Sequence, residues 1–138
     1  KHTLKAKYYI RYVDDFVILH NSAQQLAEWK EHINDFLKKE LVLELHPQKS
    51  KIIPLGRGVD FLSFKCFYYF RLLRKRNVKK MFKKLELLRH FYAEGKTTAE
   101  KILGILQGWS AYAMHANAFK LRRKINDVSL YILDELAN

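Results

Sequence analysis

The chain has 138 residues, 49% of them hydrophobic, and a net charge of +12. That composition excludes a disordered polymer, and the length suits one domain or two small subdomains. No apolar run approaches the roughly 18–20 residues of a membrane span, no signal-peptide pattern opens the chain, and no membrane partner is expected. The single Cys66 excludes an internal disulfide and fits a reducing, cytoplasmic setting. The chain opens on Lys1 and runs almost at once into a strand, as expected of a fragment of a longer protein.

The first predicted elements are two short strands, Tyr8–Tyr12 and Phe16–Leu19, rich in aromatic and β-branched residues. Asp14 and Asp15 fall between them, at the expected hairpin tip, where both side chains can point at one spot. Two carboxylates at one spot repel unless a cation lies between them, and hard oxygen ligands suit Mg²⁺, with Mn²⁺ as a substitute. Two such ions about 3.5–4 Å apart are how polymerases clamp the attacking and leaving oxygens of phosphoryl transfer. The plainer reading is a charged turn, because Asp is common in turns. Against it, Asp-Asp lacks the Gly that tight hairpins prefer, and strands this apolar are expected to be covered on both faces.

Ser22-Ala23-Gln24-Gln25 has the form of a capping box, and Leu26, Trp29, Ile33, Phe36 and Leu37 follow at helical spacing, which predicts a helix over Ala23–Glu40. Leu41–Leu45 leads into His46-Pro47, which breaks any helix. Lys51–Leu55 is a strand candidate, and Gly56-Arg57-Gly58 a turn. Val59–Phe64 and Phe67–Leu72 read as two further strands in a hairpin around Lys65-Cys66. If Val59–Phe64 is one regular strand, Phe61 and Phe64 face opposite ways.

From Asn77 the period changes to 3.6. Asn77 is the expected N-cap, with Val78, Met81, Phe82, Leu85 and Leu88 on one face of a helix reaching Tyr92. Thr97-Thr98-Ala99-Glu100 offers another capping box, followed by a stripe of Ile102, Ile105, Leu106, Trp109 and Tyr112. Met114–Asn117 reads as a break, with His115 and Asn117 in hydrogen-bonding or capping roles. A last helix is predicted over Ala118–Leu136, using Phe119, Leu121, Ile125, Val128, Ile132 and Leu136. Trp29 and Trp109 lie on apolar stripes and are expected in the core. The layout is α+β, a strand-rich part over residues 1–72 and a three-helix part over 73–138.

Charge is uneven along this layout. Residues 1–60 carry 10 Lys and Arg against 8 Asp and Glu, whereas residues 61–138 carry 16 against 6. Arg71, Arg74, Lys75, Arg76, Lys79, Lys80, Lys83 and Lys84 form the densest cluster, in which Lys79, Lys80, Lys83 and Lys84 make one stripe at helical spacing. Such a stripe can follow a nucleic-acid backbone without reading sequence, the plainer reading being a solvated surface helix.

Tyr12-Val13-Asp14-Asp15 on a hairpin, then a helix, then Leu43–Lys51, then Gly58-Val59-Asp60-Phe61-Leu62-Ser63-Phe64, resembles the second half of a reverse transcriptase palm. Gly108-Trp109-Ser110-Ala111-Tyr112, His115-Ala116-Asn117 and Leu121-Arg122-Arg123-Lys124 resemble the thumb of bacterial enzymes of that family, such as those of retrons, group II introns and diversity-generating retroelements. The resemblance covers nearly the whole chain and keeps the family's motif order. It implies a partial polymerase palm of antiparallel hairpins with one helix, followed by a three-helix thumb.

It also implies an RNA template, a DNA primer and a deoxynucleoside triphosphate as partners. By the resemblance Asp14 is a direct metal ligand and Asp15 supports the site. Tyr12 helps set the geometry beneath the primer terminus or the incoming nucleotide, and Val13 touches the template–primer minor groove. Both residues are equally readable as strand packing. Lys49 matches the lysine that protonates or neutralises the departing pyrophosphate; otherwise it is a solvated loop lysine. Phe61, Leu62 and Ser63 match the primer-gripping hairpin, with Ser63 where the family usually has Gly. The family's third catalytic aspartate and its fingers lie upstream of these motifs, so the 138 residues alone are expected to bind metal weakly and polymerise poorly, and to self-associate through bare strand edges. A non-catalytic nucleic-acid-binding module using the basic helices is the competing expectation, and a protein-interaction scaffold a third.

Overall fold

The computed structural model describes the backbone of residues 4–135 and the side chains of residues 4–130. Strands β1 (Tyr8–Tyr12) and β2 (Asp15–Leu19) pair antiparallel, and helix α1 (Ala23–Leu41) follows. A 3₁₀ turn, Leu55–Arg57, leads to β3 (Val59–Phe61), β4 (Phe64–Cys66) and β5 (Arg71–Leu73), an antiparallel sheet in that order. Helices α2 (Lys75–Ala93), α3 (Ala99–Met114) and α4 (Phe119–Glu135) complete an α+β chain. No helix among the described residues is long and apolar enough to cross a membrane.

The chain divides into two compact units, Lys1–Pro54 and Leu55–Asn138. The expected boundary between residues 72 and 73 falls within β5, just before α2, and so lies inside the second unit. Leu73 of β5 is buried with Ala113 and Ala118 from the end of α3 and the approach to α4, so the small sheet and the helices share a core.

The first unit has a thin core. Ser22 caps α1 by accepting from Gln25 N–H at 3.2 Å. The reciprocal half of the box is absent: Gln25 Nε2 donates to Glu28 at 2.9 Å, and Ser22 N–H goes to His20 Nδ1. No residue of α1 is fully buried. Leu26, Trp29, Ile33 and Leu37 are half-buried and Phe36 is exposed. Trp29 meets the His20 ring edge-on at 5.1 Å. The helix ends at Val42, held in a left-handed conformation with φ 54°. Leu45 N–H then bonds back to Asn34 Oδ1. Lys51–Leu55 is not a strand. Extended backbone becomes a strand only when a neighbour takes its hydrogen bonds, and among the described residues none pairs with it.

The second unit has a denser core. Met81, Leu85 and Leu88 of α2 meet Ile102 and Leu106 of α3 and Ile125 of α4, with Trp109 packed against both buried clusters. Thr98, one residue later than the expected capping position, caps α3 by accepting from Lys101 N–H. Helix α4 packs on α3 and α2. Arg122 Nε donates to Ser110 Oγ at 3.1 Å, and the Lys124 ammonium sits 5.8 Å from the centre of the Phe82 ring. His115 forms the C-cap of α3, and Asn117 N–H donates to Arg71 O at 2.8 Å, tying the helical break to β5. The side chains of Ile132 and Leu136, expected on the stripe of α4, lie outside the described residues.

Further expectations for this unit fail for physical reasons. Lys65 and Cys66 lie in β4 rather than at a hairpin tip. The chain turns instead at Leu62-Ser63, where both residues take positive φ (45° and 72°), as a type I′ turn requires. It turns again over Phe67–Phe70. Phe61 and Phe64 are therefore opposite each other across a hairpin and share one face. The second failure is Asn77, which lies one turn inside α2; the N-cap is Arg74, without a side-chain cap. Asn77 spends its amide on tertiary contacts described below.

Candidate functional site

The β1–β2 hairpin closes on the pair Tyr12 and Asp15, leaving Val13 and Asp14 as a two-residue loop. Val13 has φ 55°, the positive value that a type II′ turn needs at its first central position. A β-branched residue there is strained, and such strain persists only where the surroundings over-determine the conformation. Arg11 supplies part of that restraint, since its Nε donates to Val13 O at 2.6 Å. Val13, Asp14 and Asp15 are all exposed. The turn thus presents two adjacent carboxylates to solvent, one in the loop and one at the start of β2.

The donor set suits Mg²⁺, a hard cation that takes one or two carboxylates together with water and substrate phosphates. Among the described residues no group of three His, Cys, Asp or Glu gathers as a metal site, so the turn offers its two carboxylates only. Register puts Tyr12, Ile10 and Tyr8 on the face shared with Asp15, Val17 and Leu19. Tyr8, Ile10, Tyr12 and Leu19 are exposed on it, so this face is not covered as the sequence led us to expect. Tyr9, Phe16 and Ile18 on the other face are half-buried. Lys49 is exposed in the loop after α1, where its N–H bonds to His46 O.

In the second unit the Leu62-Ser63 turn is held by its own carbonyl. Ser63 O accepts from Tyr112 OH at 3.1 Å, Asn77 Nδ2 at 3.3 Å and Arg74 N–H at 3.4 Å. Asn77 Nδ2 also donates to Tyr112 OH at 3.0 Å. Tyr112 packs its ring on Phe64, centroids 5.2 Å apart, and the Arg71 guanidinium lies over the same ring. Nothing in the sequence marks Arg11, Asn77 and Tyr112 for these roles. Arg11 alternates with apolar neighbours as any strand residue does, and the partners of Asn77 and Tyr112 are remote in sequence.

The basic residues are only partly free to meet a partner. Lys75, Arg76, Lys79, Lys80, Lys83 and Lys84 are exposed along α2. Arg71 is exposed but rests on Phe64, and Arg74 forms a 2.9 Å ion pair with Asp60. Comparison with protein-family models and with curated proteins finds no match to this chain.

Proposed function

We propose that the chain is the C-terminal palm and the thumb of a reverse transcriptase, taking part in RNA-directed DNA synthesis by two-metal nucleotidyl transfer. The observation that carries this reading is the Val13-Asp14 turn. It exposes two carboxylates adjacent in sequence and holds a β-branched residue at positive φ beside them. Strain of this kind collects at functional turns. Asp14 and Asp15 would hold Mg²⁺ or Mn²⁺, and when bound the metal supplies positive charge at the attacking and leaving oxygens. Tyr12 and Val13 flank that position. Lys49 is the candidate donor to the departing pyrophosphate. The Phe61-Leu62-Ser63 hairpin is the candidate primer contact, and the exposed lysines of α2 the candidate phosphate track.

The test is RNA-templated primer extension with Mg²⁺ or Mn²⁺, on this chain joined to the upstream fingers and palm of its parent. Changing Asp14→Asn and Asp15→Asn should lower DNA synthesis by at least about a hundredfold, because catalysis of this transfer is mostly electrostatic. Primer–template binding should remain nearly intact.

The exposed lysine stripe favours a second reading, a nucleic-acid-binding module without catalysis. Lys79→Glu with Lys83→Glu should weaken primer–template binding and reduce its salt slope by about 2. Salt-sensitive binding without synthesis on any template would select the module and sink the polymerase reading.

A further inference from the structure

The loop joining β4 to β5 has no part in the function proposed above. Its four residues, Phe67-Tyr68-Tyr69-Phe70, are all aromatic, and they divide into a base and a tip. Phe67 and Phe70 form the base. Phe67 N–H donates to Phe70 O at 2.8 Å, and the two rings stack with centroids 4.6 Å apart and 19° between planes. The Phe67 ring also lies against the backbone of Gly58, where a Cβ would meet Cζ at 2.8 Å. Tyr68 and Tyr69 form the tip. They are 75% and 90% exposed, with rings edge to face at 4.6 Å.

A single exposed ring on a protein surface needs no explanation, whereas two adjacent rings raised on a braced loop form a contact surface. Tyrosine suits one, because it offers a large, rigid, amphipathic area with little side-chain entropy to lose. The base of the loop is already ordered, so a ligand would meet a preformed tip.

Charge selects the partner. From Phe61 to Leu85 the chain has no acidic residue, and Asp60, opposite Lys65 across the β3–β4 pair, is taken up by its ion pair with Arg74. Lys65, half-buried on β4, and Arg71 on β5 flank the loop, one on each face of the ribbon. Arg71 is exposed, with its guanidinium over the Phe64 ring. Open aromatic faces among cations are how proteins hold an unpaired strand, whose bases stack on the rings while its phosphates meet the charges. Bases within a duplex are already stacked and offer no free face. The tip also lies at the opposite end of β4 from the Leu62-Ser63 turn, so it is separate from the candidate primer contact.

We propose that Tyr68 and Tyr69 form a base-stacking site for an unpaired nucleic-acid strand, with Lys65 and Arg71 as its phosphate contacts. The site does not depend on the carboxylate turn and stands whether or not the chain belongs to a polymerase. It is tested by fluorescence anisotropy of the 138-residue chain with a labelled single strand of about 12 nucleotides, a span that an aromatic platform of this kind can engage. A blunt duplex of the same sequence runs beside it.

Tyr68→Ala with Tyr69→Ala should weaken single-strand binding by about tenfold or more and leave duplex affinity and its salt slope unchanged. Tyr68→Phe with Tyr69→Phe should retain single-strand binding, since the ring faces remain. Unchanged single-strand affinity in the alanine pair would overturn the proposal, as would an equal loss on the duplex. Tyrosine-dependent binding to phosphatidylserine vesicles with none to the oligonucleotide would assign the tip to a membrane surface instead.

Discussion

Ser63 illustrates how much one residue can conceal in a sequence. Its φ is 72°, a left-handed value that favours glycine, and nothing in the serine itself signals it. Ser63→Gly should raise stability by about 0.5–1 kcal/mol in urea unfolding, because the left-handed strain is relieved while the carbonyl keeps its partners. A loss of stability would mean that the serine side chain contributes more than its backbone costs. Val13 is strained in the same sense, and neither residue announces it. Turn prediction relies on Gly, Asn and Asp at positive φ, so the hairpin built on Leu62-Ser63 is mislocated by composition alone, and the tip of the first hairpin is Val13-Asp14, one residue before the expected Asp14-Asp15. The Asp14-Asp15 pair was legible because its residues are unusual between apolar strands. Arg11 was not, since its bond to Val13 O depends on a turn already formed.

The helices were the most legible elements. Their apolar positions recur at helical spacing; the expected α1 and α3 begin and end, and the expected α4 begins, within a residue or two of those observed. The strands were less so, because short aromatic runs serve equally as strand or loop. Phe67–Phe70 has strand composition and forms a loop, and Lys51–Leu55 lacks a neighbour to pair with. The stripes of α2, α3 and α4 meet at Leu85, Ile102 and Ile125, the largest fully buried side chains among the described residues. Ile102→Ala removes a side chain that is 1% exposed and should cost about 2–5 kcal/mol, read as a lower denaturation midpoint with an unchanged m-value. A cost under about 1 kcal/mol would mean that the helices close over the gap.

For the chain as a whole, the two units differ in how much apolar surface they bury. Lys1–Pro54 leaves Tyr8, Ile10, Tyr12, Phe36, Leu41 and Leu43 exposed, whereas Leu55–Asn138 holds both buried clusters. A hairpin of two strands is marginal without further covering. Amide hydrogens of β1 and β2 should therefore exchange faster than those of α2 and α3 by about a hundredfold or more, measured by native-state hydrogen exchange. Equal protection would show that both units open together. The Ser63 carbonyl carries a consequence for the order of assembly. Its side-chain donors come from Asn77, 14 positions away, and Tyr112, 49 positions away. The second requires closing a long chain loop, whose entropic cost precedes any gain from the bond. The Tyr112 bond to the Leu62-Ser63 turn thus forms only after α3 has docked, which makes completion of the lock a late event in folding. Weakening the lock should speed the chain's escape from the native state and leave its rate of arrival almost unchanged.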